Sequence, residues 1–136
     1  WLFSGAYFWE SLFFPSRLSF FQSKKETDAD ANMERVYTMW SRLPKWMREW
    51  QPCERTFCNL SFPRSRSEIK GIPQGDDHTR GFTATGFFGD ESAFVEGLGK
   101  TLAAVRPAIG SSGRITLISS AAPGEFKNIC FDQSEA

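Results

Sequence analysis

The spacing of hydrophobic and polar positions changes several times along the first half of the chain. Residues 7–14 are largely apolar and end at a proline, which predicts a buried helix, and residues 17–22 form an apolar run typical of a short strand. From Thr27 the apolar positions recur at the spacing of one helix face, until Pro44 ends the pattern. We expect Thr27 or Asp28 to cap this helix. Its apolar face consists of Met33, Val36, Tyr37, Trp40 and Leu43.

The middle of the chain predicts strands joined by short connections. Residues 45–52 form a tryptophan-rich connection, and residues 56–62 alternate between apolar and polar positions, as in a strand. A second strand over residues 67–72 pairs with the first as a hairpin. Residues 71–81 are rich in turn formers, and the loop they predict leads into a strand over residues 82–89.

The last third returns to helices. Residues 92–105 have a helical apolar face ended by Pro107, residues 110–113 predict a turn, and residues 114–120 predict a buried strand. Another helix is expected to start within residues 125–132. Strands that alternate with helices predict an α/β fold, in which helices cover both faces of a parallel sheet.

Length and charge limit the classes of protein. A chain of 136 residues is long enough for one domain, and 16 basic and 16 acidic residues give no net charge that would favour nucleic acid or membrane. The apolar first 14 residues contain Glu10 and are too short to span a bilayer, so we expect a core helix and no membrane partner. Because the chain starts at Trp1, we expect it to be a piece of a longer protein.

Residues 42–70 carry most of the local positive charge. They contain seven basic and three acidic side chains, which fits either a phosphate backbone or a solvated surface. The nearby tryptophans are expected to be packing residues: Trp40, Trp46 and Trp50. Lys45, Arg48 and Trp50 together leave a DNA contact open.

The three cysteines and the single histidine do not form a metal motif. Four residues separate Cys53 from Cys58, Cys130 is distant, and His78 follows the acidic residues 76–77 in a loop. We therefore expect free thiols in a reducing compartment, a solvated histidine and no zinc site.

The strongest chemical signal is the pair Asp90 and Glu91 at the end of an apolar strand. A nucleotide hydrolase needs one carboxylate for the water shell of a magnesium ion and another to activate the attacking water. Ligands of parallel sheets bind beyond the carboxyl ends of the strands, where residues 22–23 and 119–120 are also polar. The sequence therefore predicts a phosphate site at this edge, and Arg80 in the preceding loop is placed to reach a phosphate on a neighbouring subunit.

The same residues have ordinary structural explanations. An acidic pair is favourable at a helix N-terminus, and an arginine in a loop often braces that loop. Ser119 and Ser120 are suited to capping the following helix.

The order of these motifs resembles the large terminase subunit of tailed bacteriophages. The run TRGFTATGFFGDESAF (residues 79–94) is similar to the Walker B region of that family, in which an Arg-Gly pair precedes a strand ending in Asp-Glu. ITLISSAAPGEF (residues 115–126) resembles its coupling motif, and FFQSKKETDA (residues 20–29) resembles the segment after its first nucleotide-binding strand. The resemblance extends over residues 17–132 and implies a P-loop NTPase core of the ASCE type.

The resemblance implies a role for each residue. Asp90 would coordinate Mg²⁺ through water, and Glu91 would polarise the water that attacks ATP. Ser119 and Ser120 would sense the γ-phosphate and relay hydrolysis to DNA movement. Arg80 would act in trans on the adjacent subunit of a ring.

The resemblance also implies partners and missing parts. The partners are double-stranded DNA, further copies in a homo-oligomeric ring, the small terminase subunit and the portal protein, in the cytoplasm of the host cell. Residues 1–136 lack the family's Walker A loop, which we expect upstream, and its nuclease domain, so they form a partial ATPase domain. Gly89 departs from the apolar residue that usually precedes the acidic pair, which leaves the strand register open.

Two other functions remain open at this point. One is another P-loop ATPase that moves nucleic acid, such as a helicase. The other is a non-catalytic α/β interaction domain, in which the acidic pair only caps a helix. A Gly-rich loop with Lys-Ser or Lys-Thr in the upstream coding region would favour the motor.

We predict that residues 1–136 alone do not hydrolyse ATP measurably, because no loop to hold the phosphates occurs in them. A phosphate-release assay on the purified chain with magnesium and ATP checks this. A magnesium-dependent signal that disappears in Glu91→Gln would contradict the prediction.

Overall fold

The computed structural model describes residues 1–75 and 77–131 and places a six-stranded sheet between helices. Its α-helices are α1 (Leu2–Phe13), α2 (Glu26–Ser41), α3 (Lys45–Trp50), α4 (Leu98–Ala108) and α5 (Glu125–Phe131). Its strands are β1 (Leu18–Gln22), β2 (Glu54–Thr56), β3 (Asn59–Phe62), β4 (Ser67–Ile72), β5 (Ala84–Gly89) and β6 (Ile109–Leu117). Asp76 of the acidic loop and Asp132 of the last expected helix lie outside the described residues.

The sheet is parallel where the predicted site lies. The strand order is β2-β3-β4-β1-β5-β6, and β1 pairs in parallel with both β4 and β5, as β5 does with β6. The predicted hairpin is confirmed: β3 pairs antiparallel with β4, and β2 extends it at one edge. The structure thus confirms an α/β fold with a mostly parallel sheet.

Helices cover both faces of the sheet, as predicted. Adjacent strand residues point to opposite faces, so Phe21 and Phe88 enter one core cluster while Phe20 and Phe87 enter another. The first cluster contains residues of α1 and α2: Tyr7, Phe8, Leu12, Met33 and Val36. The second contains Val105 of α4.

Tyr7 ties α1 to the two strands that carry the site. Its hydroxyl donates to the carbonyl oxygen of Phe87 in β5 at 2.9 Å and lies 3.0 Å from Thr116 Oγ1 in β6. Gly86 lies beneath the ring, and a Cβ at that position would overlap the ring. The predicted core helix over residues 7–14 is therefore confirmed, and it packs directly on β5.

Several local predictions in the first half of the chain are wrong in detail. Lys25 is the N-cap of α2, and Thr27 and Asp28 lie inside its first turn. Residues 45–52 contain the short helix α3. The strand predicted over residues 56–62 is interrupted, because Cys58 has a left-handed backbone (φ 53°) and turns the chain from β2 into β3.

The segment after β5 also differs from the expectation. The predicted helix over residues 92–105 is a 3-10 turn (Ser92–Phe94) followed by α4, and Pro107 lies inside the last turn of α4. Residues 110–113 belong to β6, where the pairing shifts between the Ala84–Ile109 and Gly86–Arg114 partners. Residues 110–113 are glycines and serines, which are typical of turns, so the composition alone predicted a turn. The irregular pairing explains how such residues belong to a strand.

No helix in the described part of the chain is long and apolar enough to cross a membrane.

Candidate active site

The carboxyl ends of β1, β5 and β6 meet at one edge of the sheet. Gly89 pairs with Gln22 on one side and with Leu117 on the other. The ladder continues beyond the strands: the Asp90 N–H donates to the Gln22 carbonyl at 2.9 Å, and the Ile118 N–H donates to the Gly89 carbonyl at 3.0 Å. The polar residues that follow these strands are therefore held side by side.

Gly89 is required by close packing at this edge. A Cβ on Gly89 would lie 2.6 Å from Ser92 Oγ and 2.9 Å from Leu117 Cδ2, which is closer than real Cβ contacts. Ser92 Oγ in turn donates to the Gly89 carbonyl at 3.1 Å. The register left open by the unusual glycine is thus settled: β5 runs through Gly89, and the acidic pair follows directly.

Glu91 has an unusual backbone for a residue with a side chain. Its φ of 52° and ψ of 42° are left-handed, a conformation that costs about 1–3 kcal/mol for a residue other than glycine. Its carboxylate lies 3.4 Å from Ser119 Oγ and 3.3 Å from Ser120 Oγ, both hydroxyls being donors. The strained turn thus brings the carboxylate to the end of the neighbouring strand β6.

The two serines differ in their contacts. Ser119 Oγ accepts a hydrogen bond of 3.1 Å from the Ala93 N–H, so it caps the 3-10 turn. Ser120 Oγ forms hydrogen bonds only with the Glu91 carboxylate among the described residues. The idea that these serines cap the following helix is wrong, because α5 begins at Glu125.

Asp90 is held from α2 by residues that the sequence did not single out. Its Oδ2 accepts a hydrogen bond of 3.2 Å from Asn32 Nδ2 and lies 3.7 Å from Arg35 Nη1. Asn32 was detectable in principle, because it is a polar residue on the face of α2 that buries Ala29 and Met33. A polar residue at a core-facing helix position signals a buried partner.

Gln22 and Ser23 extend the site beneath Asp90. Gln22 is fully buried, and its Nε2 donates to the carbonyls of Pro73 and Gly75 at 3.3 and 3.4 Å, which ties the loop after β4 to the sheet edge. Gln22 Oε1 has no hydrogen-bond partner among the described residues. Ser23 Oγ accepts a hydrogen bond of 3.1 Å from Asn32 Nδ2.

Arg80 lies on the loop between β4 and β5. Its Nη1 is 3.2 Å from Asp77 Oδ1, and 64% of its side chain is exposed. It lines an open depression with Lys100 and Ala104 of α4. The structure therefore brings Asp90, Glu91 and the two serines together but not Arg80.

The donor set at this edge fits a hydrated magnesium ion and not a closed metal cage. Among the described residues, no group of three or more His, Cys, Asp or Glu side chains is placed to hold a metal. Magnesium commonly keeps several waters and takes one or two carboxylates together with substrate phosphates. Asp90 suits that arrangement, because no described residue contacts its Oδ1.

None of the three thiols forms a hydrogen bond with Asp90 or Glu91 among the described residues, although Cys130 lines a cavity with Ser119. The structure confirms that Cys53, Cys58 and Cys130 are free, and His78 is exposed, as expected. Burial, reinforced by the neighbouring Glu54 carboxylate, raises the pKa of the Cys53 thiol to about 12. A thiol with so high a pKa stays protonated at neutral pH and does not act as a nucleophile.

The tryptophans near the basic segment have separate roles. Trp40 Nε1 donates to the Gln51 carbonyl at 2.8 Å, and Trp50 stacks on Phe13. Trp46 is 65% exposed, so the expectation that it is a packing residue is wrong. Arg48 Nε donates to the Leu43 carbonyl at 3.1 Å, so this side chain is bonded to the connection between α2 and α3.

We predict that Ser119→Ala and Ser120→Ala differ in stability. Ser119→Ala removes a cap and should lower the free energy of unfolding by about 1 kcal/mol, whereas Ser120→Ala should lower it by less than about 0.5 kcal/mol. Urea unfolding of the two variants measures the difference. Equal losses would mean that both hydroxyls support the turn.

Comparison with known proteins places the fold. No protein-family model matches the chain, and no curated protein is similar to it. Among solved structures, the large terminase ATPase domain of Thermus phage P74-26 has a TM-score of 0.69 at 19% identity, covering 94% of this chain and 57% of that chain. The large terminase of a second thermophilic bacteriophage has a TM-score of 0.65 at 12% identity, covering 85% of this chain and 29% of that chain.

A further structure of this second terminase, in complex with ADP, has a TM-score of 0.61 at 14% identity and covers 88% of this chain. The chain thus spans little more than half of the P74-26 domain and less than a third of the second terminase. These likenesses extend along nearly the whole chain and agree with the resemblance seen in the motifs. The chain therefore has the fold of the ATPase domain of phage large terminases.

Proposed function

We propose that the chain is part of a motor that couples ATP hydrolysis to the movement of double-stranded DNA into a viral procapsid. One observation carries the proposal: within a terminase ATPase fold, Asp90 and Glu91 lie at the carboxyl edge of the sheet, with the Glu91 carboxylate 3.3 Å from Ser120 Oγ on the next strand end. This is the edge at which open parallel sheets bind their ligands.

Glu91 is the general base in this proposal. Its carboxylate is exposed, and the hydroxyls of Ser119 and Ser120 hold it in place. A carboxylate held in this way can orient a water molecule for attack on a phosphate and accept its proton. A positioned base contributes about 10²–10⁴-fold to such a rate.

Asp90 would hold magnesium through water. The bound ion supplies positive charge that offsets the charge of the ATP phosphates. Asp90 contributes a carboxylate with one oxygen braced by α2 and the other without a described partner. The terminase structure in complex with ADP supports a nucleotide as the ligand of this fold.

Ser119 and Ser120 would pass the state of the nucleotide to the rest of the motor. Both hydroxyls touch Glu91, and Ser119 also caps the 3-10 turn, against which α5 packs. A change in the contacts of the Glu91 carboxylate therefore acts directly on the segment that leads to α5. This path joins hydrolysis to movement through contiguous contacts.

The complete motor needs more than these residues. A Gly-rich loop to hold the phosphates does not occur in the sequence, so we propose that residues 1–136 form the Walker B and coupling half of the ATPase domain. We also propose a homo-oligomeric ring, with the small terminase subunit and the portal protein as further partners, in the cytoplasm of the host cell. Arg80 then acts in trans, which the 64% exposure of its side chain favours.

The contacts of Glu91 speak against the interaction-domain alternative. If the acidic pair only capped a helix, a side-chain oxygen would accept from the backbone of the following turn. Glu91 makes no side-chain hydrogen bond to the 3-10 turn and contacts the serines instead. A helicase-type translocase would use the same catalytic edge. The two functions differ in the DNA they act on, which is single-stranded for a helicase and double-stranded for the packaging motor.

We predict that Glu91→Gln lowers kcat for ATP hydrolysis at least about 100-fold, with KM for ATP changed less than about threefold, because the base is lost while binding persists. The assay uses protein from the complete reading frame that contains this sequence, with magnesium and linear double-stranded DNA. Glu96→Gln is the matched control, since Glu96 is also exposed and its carboxylate has no described contact. Equal activity of Glu91→Gln and the parent would overturn the proposal.

We predict that two inactive variants of the same protein restore activity when mixed, if Arg80 acts across subunits. A ring that mixes Arg80→Ala with Glu91→Gln contains interfaces at which an intact acidic pair meets an intact arginine. Mixing Asp90→Asn with Glu91→Gln is the control, because every acidic edge in that ring carries a defect. ATPase activity of the mixtures over a range of ratios is the measurement, and no gain in the first mixture would show that Arg80 does not act in trans.

A further inference from the structure

Asn32 of α2 is a buried amide with three hydrogen bonds at the acidic edge. It is 1% exposed, and its Nδ2 donates to Ser23 Oγ at 3.1 Å and to Asp90 Oδ2 at 3.2 Å. Its Oδ1 accepts a hydrogen bond of 2.6 Å from Arg35 Nη1. A buried amide with both donors and its acceptor engaged is fixed in one orientation.

The chemistry of the partners determines which way this amide faces. A guanidinium only donates and a carboxylate only accepts, so Arg35 must face the amide oxygen and Asp90 the amide nitrogen. Arg35 lies one turn after Asn32 on α2, and 43% of its side chain is exposed. Arg35 therefore orients Asn32, and Asn32 in turn contacts Asp90.

The contact concerns the side chain of Asp90 and not its backbone. The Asp90 N–H is already held by the Gln22 carbonyl at 2.9 Å, as a continuation of the ladder between β1 and β5. Asn32 and Arg35 both act on Oδ2, and no described residue contacts Oδ1 of this carboxylate, which is 22% exposed. The bond from Asn32 thus selects the rotamer of Asp90.

We propose that Asn32 is a positioning residue, which holds one oxygen of Asp90 so that the other is presented to a hydrated divalent cation. This inference rests on the proposed function. Magnesium demands near-ideal octahedral geometry, so its ligands and waters must be positioned accurately. Partners that orient a metal ligand commonly change metal affinity about 10- to 100-fold when they are removed.

Arg35 does not have the same role. Its positive charge lies 3.7 Å from Asp90 Oδ2 and would repel a cation bound at the other oxygen. Removing Arg35 would therefore loosen Asn32 and at the same time relieve repulsion, two effects of opposite sign. Asn32 is neutral, so its removal changes position without changing charge.

The test measures metal affinity directly in protein from the complete reading frame. Mn²⁺ is titrated into the parent and Asn32→Ala in the presence of saturating ADP, and free Mn²⁺ is followed by electron paramagnetic resonance. We expect the apparent Kd for Mn²⁺ to rise about 10-fold or more in Asn32→Ala. The Mg²⁺ concentration that half-saturates ATP hydrolysis should rise in parallel, with KM for ATP at saturating Mg²⁺ within about twofold.

Ser11→Ala is the control. It removes a buried side-chain hydrogen bond of α1, in which Ser11 Oγ donates to the Tyr7 carbonyl at 3.0 Å, and it leaves the bonds of Asn32 and Asp90 in place. We expect its Kd for Mn²⁺ to stay within about twofold of the parent. An unchanged Kd in Asn32→Ala, or equal rises in both variants, would overturn the positioning role. If Asn32→Ala does not fold by circular dichroism, Asn32→Ser is measured against the same control.

The outcomes separate this inference from the proposed function. If Glu91→Gln abolishes hydrolysis while Asn32→Ala leaves the Mn²⁺ affinity unchanged, only the positioning role fails. A parent protein that binds no Mn²⁺ with ADP contradicts both. If Mn²⁺ affinity falls in Asn32→Ala but Glu91→Gln remains active, the positioning role stands and the catalytic assignment fails.

Discussion

The parallel pairing of β1, β5 and β6 determines where every polar group of the candidate site lies. Because the strands run in the same direction and in register, Gln22, Gly89 and Leu117 end side by side at one edge. The hydrogen-bond ladder then continues beyond the strands, from the Asp90 N–H to the Gln22 carbonyl and from the Ile118 N–H to the Gly89 carbonyl. The backbone of Asp90 is therefore held independently of its side chain. Side chains of α2 and of the segment after β6 then contact the two carboxylates and determine their rotamers.

The carboxylates of Asp90 and Glu91 are held by different elements of the fold. Glu91 leaves the strand direction through a left-handed backbone, and the serines after β6 receive its carboxylate. The Asp90 N–H still donates to the Gln22 carbonyl, and its carboxylate accepts a hydrogen bond from Asn32 of α2. Two adjacent carboxylates of like charge are thereby directed to different neighbours.

The sequence predicted the parts of this fold that depend on local pattern. The strands around Phe21 and Phe88 are short apolar runs bounded by turn formers, and the helix containing Met33 and Val36 has a clear apolar face, so periodicity was sufficient. Periodicity failed where the backbone departs from regular geometry. The left-handed Cys58 splits one strand into two, and the register shift in β6 admits residues whose composition is that of a turn.

The site was predictable only as far as it lies at strand ends. Asp90, Glu91 and the serines follow apolar runs, and a parallel sheet brings such ends together without further information. Asn32 is 58 residues from Asp90 along the chain, and their contact depends on how α2 crosses the sheet. No local sequence pattern predicts how α2 packs across the sheet. A polar residue on a buried helix face does indicate a position that needs a hydrogen-bond partner.

The glycine before the acidic pair has a consequence for how this region can evolve. Gly89 has no room for a methyl group while Ser92 donates to its carbonyl, so a larger residue at 89 first meets a clash, and a smaller one at 92 first loses a buried hydrogen bond. Each single exchange costs stability, and exchanging both residues still leaves a Cβ at position 89 only 2.9 Å from Leu117 Cδ2. We therefore expect the glycine to persist even in descendants that had lost both carboxylates, because packing requires it independently of them.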